Sequence, residues 1–407
     1  MSATSINGRF VTRRCVNAGL GTAIIAPVLG PLPAQALSDT PVKIGLIMSY
    51  SGQVADSAAQ IDNGIRLYMK QHGDIVAGKK IEIIRKDTGG PNPEIAQRLA
   101  QELIVRDRAD ILAGFILTPE ALGAGDISAE AKKLMVVMLA ATSTITNKSP
   151  YIIRVSTTFA QNCEPLGKWA FKNGVKKAYT MVSDYAAGLD ADEAFQRGFN
   201  EAGGEIIGSV RIPVANLDFS AFAQRAKDLN PEGIFVFVPG AIQAAAIAKA
   251  LGERGLDPKK IKIMGQGELS DESVLRALGD AGIGIITALY YEYSHNSPFN
   301  KQFVAAYNAE FKRNPDFRSV NGYDGMHLIY EILKKTGGKA DGDDLVNAAK
   351  GLKWESPRGP ISIDRETRDI INTVYIRRVE RVNGQLQNVE IEKIETVKDP
   401  FKARTKH

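Results

Sequence analysis

The amino-acid sequence predicts an α/β protein of two lobes, each a mostly parallel sheet with helices on both faces. Three observations carry this. From Pro41 onward, short apolar runs alternate with stretches whose apolar residues recur at three- and four-residue steps, the pattern of right-handed βαβ units. The apolar runs fall into two successive series of about five, which argues for two sheets instead of one very large one. The length of 407 residues, 44% of them hydrophobic, is ample for two or three domains at about 100 to 200 residues each.

Val42–Met48 (VKIGLIM) reads as the first strand, and Ser49-Tyr50-Ser51-Gly52 as the turn that ends it. Ala58, Ile61, Ile65, Tyr68 and Met69 then share one helical face. Residues 81–85 read as a second strand and 87–92 (DTGGPN) as a loop. Pro93 suits the first turn of a helix whose Ile95, Leu99 and Leu103 recur every four residues. Strands over 111–114, 134–140 and 151–155 continue the series. After Ser156-Thr157-Thr158 a second series begins, with strands over 177–182, 205–212, 233–238, 260–265 and 282–288. Helical segments run over 191–202, 219–229 and 242–254. Helices over 299–311, 324–335 and 343–352 follow, then a strand pair near 359–363 and 372–382. The basic tail from residue 398 is expected to fray.

Residues 1–36 read as a signal peptide. Arg9, Arg13 and Arg14 form a basic start without an acid, the apolar stretch 18–32 is too short and too Gly/Pro-broken to span a bilayer, and Ala34-Gln35-Ala36 supplies a cleavage site after Ala36. Thr12-Arg13-Arg14 resembles a twin-arginine signal, although Cys15, Val16 and Asn17 match its consensus poorly, so both export routes stay open. The net charge of +5 falls to +2 once these residues are removed, with both signs interspersed, which excludes a nucleic-acid surface. Only Cys163 then remains, so no intramolecular disulfide forms, and a buried thiol is expected.

The four histidines, His72, His295, His327 and His407, are scattered, and no metal-ligand spacing, nucleophile elbow or phosphate loop is present. Gly265-Gln266-Gly267 starts like a dinucleotide fingerprint, but Ser270 stands where the third glycine belongs. No enzyme activity, cofactor or metal is expected. What recurs is a turn rich in small, hydroxyl or glycine residues after each strand: Tyr50-Ser51-Gly52, Leu117-Thr118-Pro119-Glu120, Ala140-Ala141-Thr142-Ser143-Thr144, Ser183-Asp184-Tyr185, Pro239-Gly240-Ala241 and Gly265-Gln266-Gly267-Glu268. Any one such turn is explained by helix N-capping. Together they mark the strand ends where parallel sheets bind ligands, and helix N-termini there suit an anion such as a carboxylate.

These segments, in this order, resemble the solute-binding proteins of ABC importers, in the leucine/isoleucine/valine-binding family of periplasmic binding proteins. The resemblance runs through VKIGLIMSYSG at 42–52, ADILAGFILTPEA at 109–121, MLAATSTITN at 138–147, SDYAAGLDADEAF at 183–195, DFSAFAQRAKDLNPEGIFVFVPG at 218–240 and IKIMGQGELSDE at 261–272. It implies a clamshell of two lobes joined by three hinge crossings, near residues 157, 288 and 363. Lobe 1 then comprises 41–157 plus 289–363, lobe 2 comprises 158–288 plus 364–400, and 401–407 is a tail.

In that family the first lobe holds the ligand carboxylate. The resemblance assigns this to Thr118 and to Ala140, Ala141, Thr142 and Ser143, with Tyr50 and Ser51 beside them. Tyr185, Gly240, Gly267 and Glu268 are the second-lobe candidates. The sequence departs from amino-acid binders there: Ala187 and Ala241 stand where larger residues are common, and Gly267 occupies the usual acidic position, one residue before Glu268. The run LYYEYSHNSP at 289–298 and SPRGPISID at 356–364 resemble a subgroup that takes up aromatic acids. Tyr290 and Tyr291 then either face the ligand's ring or pack at the lobe junction. The expected function is capture of a small carboxylate, with an aromatic acid favoured, in the periplasm and its delivery to an ABC permease and ATPase complex at the inner membrane. A monomer is expected. Amino-acid or amide binding, or ligand sensing, are the alternatives.

Overall fold

A computed structural model of the chain describes residues 40–403, apart from residue 216. The segment expected to be a signal peptide, with the cleavage expected after Ala36, and tail residues 404–407 lie outside the described residues.

The first sheet is built from β1 (Val42–Met48), β2 (Ile75–Val76), β3 (Lys79–Asp87), β4 (Ile111–Gly114), β5 (Leu134–Val137) and β6 (Ile152–Arg154). Helices α1 (Ala55–His72), α2 (Pro93–Val105) and α3 (Thr118–Glu130) alternate with them. The order is β2-β3-β1-β4-β5-β6, parallel throughout except for the β2–β3 hairpin. Side chains of β1 alternate between two cores: Ile44, Leu46 and Met48 join Ile61 and Ile65 of α1, whereas Ile47 joins Leu99 and Leu103 of α2. Burial on both faces is why this strand reads as a continuous apolar run.

After α4 (Phe159–Lys172), the chain makes β7 (Lys177–Ser183), β8 (Glu205–Ile212), β9 (Gly233–Phe237), β10 (Lys262–Gln266) and β11 (Ile286–Leu289). Interleaved with them are α5 (Ala186–Glu201), α6 (Ser220–Leu229), α7 (Gly240–Glu253) and α8 (Glu272–Leu278). Again the strands feed two cores, Tyr179 and Met181 into one, Ala178 and Val182 into the other. The chain then returns: Phe303 and Tyr307 of α9 (Pro298–Phe311), Val320 and Ile329 of α10 (Phe317–Lys335) and Leu345 of α11 (Gly342–Ala349) join the core that contains β1. Finally β12 (Lys353–Ser356), β13 (Gly359–Ile363), β14 (Ile370–Val382) and β15 (Gln385–Val397) extend the second sheet to the order β12-β13-β14-β11-β10-β9-β7-β8, with β15 also on β14. The β14 pairings are antiparallel.

Several expected bounds change. The strand expected over 134–140 stops at Val137, and the one expected from 282 starts at Ile286, because Gly279–Gly282 forms a short 3-10 turn. The expected pair near 359–363 and 372–382 forms as β13 and β14, and β12 and β15 flank it. The tail does not fray over its first residues: α12 (Pro400–Ala403) is pinned by Lys402 Nζ, 2.7 Å from Asp369 Oδ2, and by Phe401 under the Arg197 guanidinium at 4.2 Å. Cys163 is fully buried in α4, and burial raises its thiol.

In each sheet one strand has neighbours reached in opposite directions. In the first, β1 lies between β3 and β4; in the second, β7 lies between β8 and β9. Loops leaving the carboxyl ends diverge at such points and open a crevice. Arg358, 1% exposed, ties together segments that pass between the two sheets. Its Nη2 donates to the Val155 carbonyl at 2.7 Å and pairs with Asp324 Oδ2 at 2.8 Å, while its Cζ lies 4.8 Å from the Tyr290 ring centre.

Candidate solute-binding cleft

The first-sheet wall forms where β4 and β5 end side by side. Thr118 opens α3 and Thr142 precedes a 3-10 turn over Ser143–Asn147; their hydroxyl oxygens lie 2.8 Å apart. Neither hydroxyl caps a helix: the N-cap of α3 is Leu117, and Thr142 makes no side-chain cap bond. Next to them the Ser143 hydroxyl is buried without a partner among the described residues. Hydroxyl donors of this kind, at helix starts, can replace the hydration of a carboxylate.

Two buried charges fix this wall. Glu120, fully buried, accepts from Ser49 Oγ and Thr88 Oγ1 at 2.5 Å each, and from the Ile116 and Leu117 N–H groups at 2.9 and 3.0 Å. It thus gathers the loops after β1, β3 and β4. Arg154, also fully buried, donates to the Thr142 carbonyl at 2.7 Å and to Asp369 at 2.6 Å. Neither residue is among the candidates expected from the sequence. A Glu two residues after Thr118 in the turn LTPE was the signal for Glu120; nothing local marked Arg154.

The second-sheet wall uses the ends of β7, β9 and β10. The Ser183 hydroxyl is buried without a partner among the described residues. Tyr185 precedes α5 and leans on Phe237 at 6.1 Å. Gly240 is exposed at the start of α7 with φ +74° and open space around it, and Ile242 beside it is 74% exposed. Gly267 is buried and cannot carry a side chain: a Cβ there would meet Leu289 Cβ at 2.5 Å and Arg377 Nη2 at 2.8 Å. The acid therefore falls on Glu268, which is half-buried. Burial pushes its carboxyl up, and Arg318 opposes that shift. The Glu268 charge in turn reaches the phenols of Tyr185 and Tyr290, both raised chiefly by burial.

Tyr290 accepts from Asn321 Nδ2 at 2.7 Å and meets the edge of Phe317 at 5.9 Å. Tyr290 and Tyr291, 2% and 1% exposed, both pack in the core that contains β1, and the Tyr291 hydroxyl donates to Asn300 Oδ1 at 3.0 Å. Tyr50 also turns inward, its hydroxyl beside Arg85 and Asp62, and Ser51 is exposed with its N–H on Asp87 at 3.2 Å. Ala140 is buried and Ala141 half-buried in the turn that Arg154 supports. The structure thus brings Thr118, Thr142 and Ser143 together where β4 and β5 end, and sets Tyr185 and Glu268 at the ends of β7 and β10, whereas Tyr290 lies in the core that contains β1.

Arg318, at the start of α10, joins the two halves: its Nη1 lies 2.6 Å from Asp271 Oδ2, the N-cap of α8, and 2.9 Å from Asp316 Oδ2. Beside it Glu292 pairs with Arg377 at 3.0 Å, and the Glu272 carboxyl hydrogen-bonds Glu292. Burial raises both glutamates, and their mutual repulsion raises Glu272 further. Among the described residues no group of three His, Cys, Asp or Glu is placed to hold a metal ion.

The profile of the periplasmic binding protein family matches residues 41–385. A curated relative, the Leu/Ile/Val-binding protein homolog 6 of Brucella melitensis, is 40% identical over 382 residues, 93% of this chain and 98% of that one. A solute-binding protein of an ABC transporter from Rhodopseudomonas palustris, solved with 3,4-dihydroxybenzoic acid, is 53% identical with a TM-score of 0.83, over 89% of this chain and 99% of the other. A second protein of that kind from another strain of the species, solved with p-hydroxybenzoic acid, is 40% identical with a TM-score of 0.85, over 90% and 100%. The chain belongs to the periplasmic binding protein family, as a two-lobed solute-binding protein of the ABC-transporter class.

Proposed function

We propose that this protein captures an aromatic carboxylate between its lobes, in the periplasm, and hands it to an ABC permease and ATPase complex as a monomeric receptor. The observation that carries the reading is the Thr118–Thr142 hydroxyl pair, 2.8 Å apart, beside the unpartnered Ser143 hydroxyl. None of the three is used for helix capping, and all stand where a carboxylate would enter. Ala187 and Ala241 leave room for a ring on the second wall. The two Rhodopseudomonas palustris proteins, solved with hydroxylated benzoic acids, support the ligand class. We place the lobe boundaries near residues 157, 288 and 363, the last shortly before the chain passes from one core at Ile370 to the other at Val374, and cleavage of the export signal after Ala36.

The name of the Brucella relatives favours a second reading, branched-chain amino acids. A melting screen separates the two. A ligand at about 1,000 times its dissociation constant stabilises the fold by about 4 kcal/mol. 4-Hydroxybenzoate and 3,4-dihydroxybenzoate should raise the melting temperature while leucine leaves it unchanged; the reverse pattern establishes the second reading.

A further inference from the structure

We propose that Glu268 reads a ring hydroxyl, so that the cleft selects phenolic acids over unsubstituted aromatic acids. This rests on the reading above and adds the feature that sets specificity. Glu268 exists as a cleft residue because position 267 has no room for a side chain. Its backbone N–H is held by Gln266 Oε1 at 2.8 Å, which fixes the turn, but no described residue donates a hydrogen bond to its carboxylate. Arg318 offsets part of the cost of burying that carboxyl, but it donates no hydrogen bond to it, and its Nη1 is held by Asp271 and Asp316. Glu268 is itself half-buried, Tyr185 with Phe237 at 6.1 Å stands on the same sheet, and burial already disfavours the ionised carboxyl.

A ligand that closes this space without a donor leaves the Glu268 carboxyl buried and unpaired, which is costly. A phenolic O–H supplies the missing donor, and the apolar ring that carries it suits the aromatic pair of Tyr185 and Phe237. The carboxylate end of the same ligand belongs to the first-sheet wall, where Thr118, Thr142 and Ser143 offer hydroxyls and the Glu120 carboxylate is already held by Ser49, Thr88 and two backbone N–H groups. The two walls are thus complementary to the two ends of a hydroxylated aromatic acid. An amino-acid ammonium is the other donor Glu268 can accept, and the test includes it.

Calorimetric titration of wild type, Glu268→Gln and Glu268→Leu with 4-hydroxybenzoate, benzoate and leucine decides the matter. Sites built to hydrogen-bond a substrate hydroxyl reject the analogue lacking it strongly, so wild type should prefer 4-hydroxybenzoate over benzoate by about 100-fold or more. Glu268→Leu should reduce that ratio to about threefold or less, with benzoate affinity unchanged or improved, and Glu268→Gln should retain part of it. A ratio unchanged in Glu268→Leu overturns the assignment while leaving aromatic-acid binding intact. Leucine binding that disappears with Glu268 assigns the residue to an ammonium and overturns it as well. Failure of wild type to bind any aromatic acid removes the proposed function itself. Should Glu268→Leu fail to fold, the wild-type ratio and Glu268→Gln still decide, because equal affinity for benzoate and 4-hydroxybenzoate in wild type contradicts the inference.

Discussion

Thr118 and Thr142 hydrogen-bond each other at 2.8 Å and leave helix capping to the backbone, so their hydroxyls are available to a ligand at little cost to the fold. Charge-assisted hydrogen bonds to a carboxylate are worth about 1.5–3 kcal/mol each. Thr118→Val and Thr142→Val should each weaken binding of an aromatic acid by about tenfold to a hundredfold, read by calorimetric titration. The apo melting temperature should stay nearly constant; a drop in stability with affinity intact would instead assign the hydroxyls to the turn. At this scale the sequence was only partly legible. The turns LTPE and AATST announce themselves because small and hydroxyl residues cluster at strand ends. Glu120 did not stand out, since its partners Ser49 and Thr88 lie 71 and 32 residues away. Adjacent Tyr290 and Tyr291 look alike in sequence, and only packing distinguishes the ring beside Arg358 from the one bonded to Asn300.

Among the elements, the βα units were read correctly because apolar runs buried on both faces contrast sharply with the amphipathic helices between them. β15, the second strand of the long β14–β15 hairpin, was missed for the opposite reason. β15 is mostly exposed or half-buried and reads QLQNVEIEKIETV, with too few apolar residues to signal a strand. The signal lay in its turn: Asn383 at φ 49° and Gly384 at φ 81° take the left-handed conformations that a two-residue hairpin loop requires. This hairpin carries structural weight, because Arg358 is packed beneath it, with its carbonyl accepting from Tyr375 at 2.9 Å and its side chain paired with Asp324. Removing one partner of a fully buried pair costs about 3–5 kcal/mol, whereas replacing both with apolar residues is far milder. Arg358→Met should therefore lower the melting temperature sharply in differential scanning calorimetry, and adding Asp324→Leu should recover much of the loss. A double variant less stable than the single one would show that the pair is not the main contribution of Arg358.

For the whole molecule, two sheets joined by a few crossings imply closure around solute by hinge bending, and the groups between the sheets make stability depend on pH. Glu272 and Glu292 have carboxyls raised by burial, Glu272 further by the neighbouring Glu292, and Asp190 is pushed up to about 6, chiefly by burial. The folded chain thus keeps protons that the unfolded chain releases above about pH 4.5. Stability from these groups is complete below that value and is lost as pH rises through their folded values. The apo protein should melt at a lower temperature near pH 9 than near pH 6, and Glu272→Gln should flatten that decline; a melting temperature that rises over this range would contradict the arrangement. The central claim concerns orientation: the carboxylate of an aromatic acid on the first wall, its ring against the second. A crystal structure with 4-hydroxybenzoate tests it most directly. The account predicts carboxylate oxygens at hydrogen-bond distance, about 2.5–3.0 Å, from the hydroxyls of Thr118 and Thr142, with the ring hydroxyl toward Glu268. A ligand turned end for end, or bound away from both threonines, would contradict it.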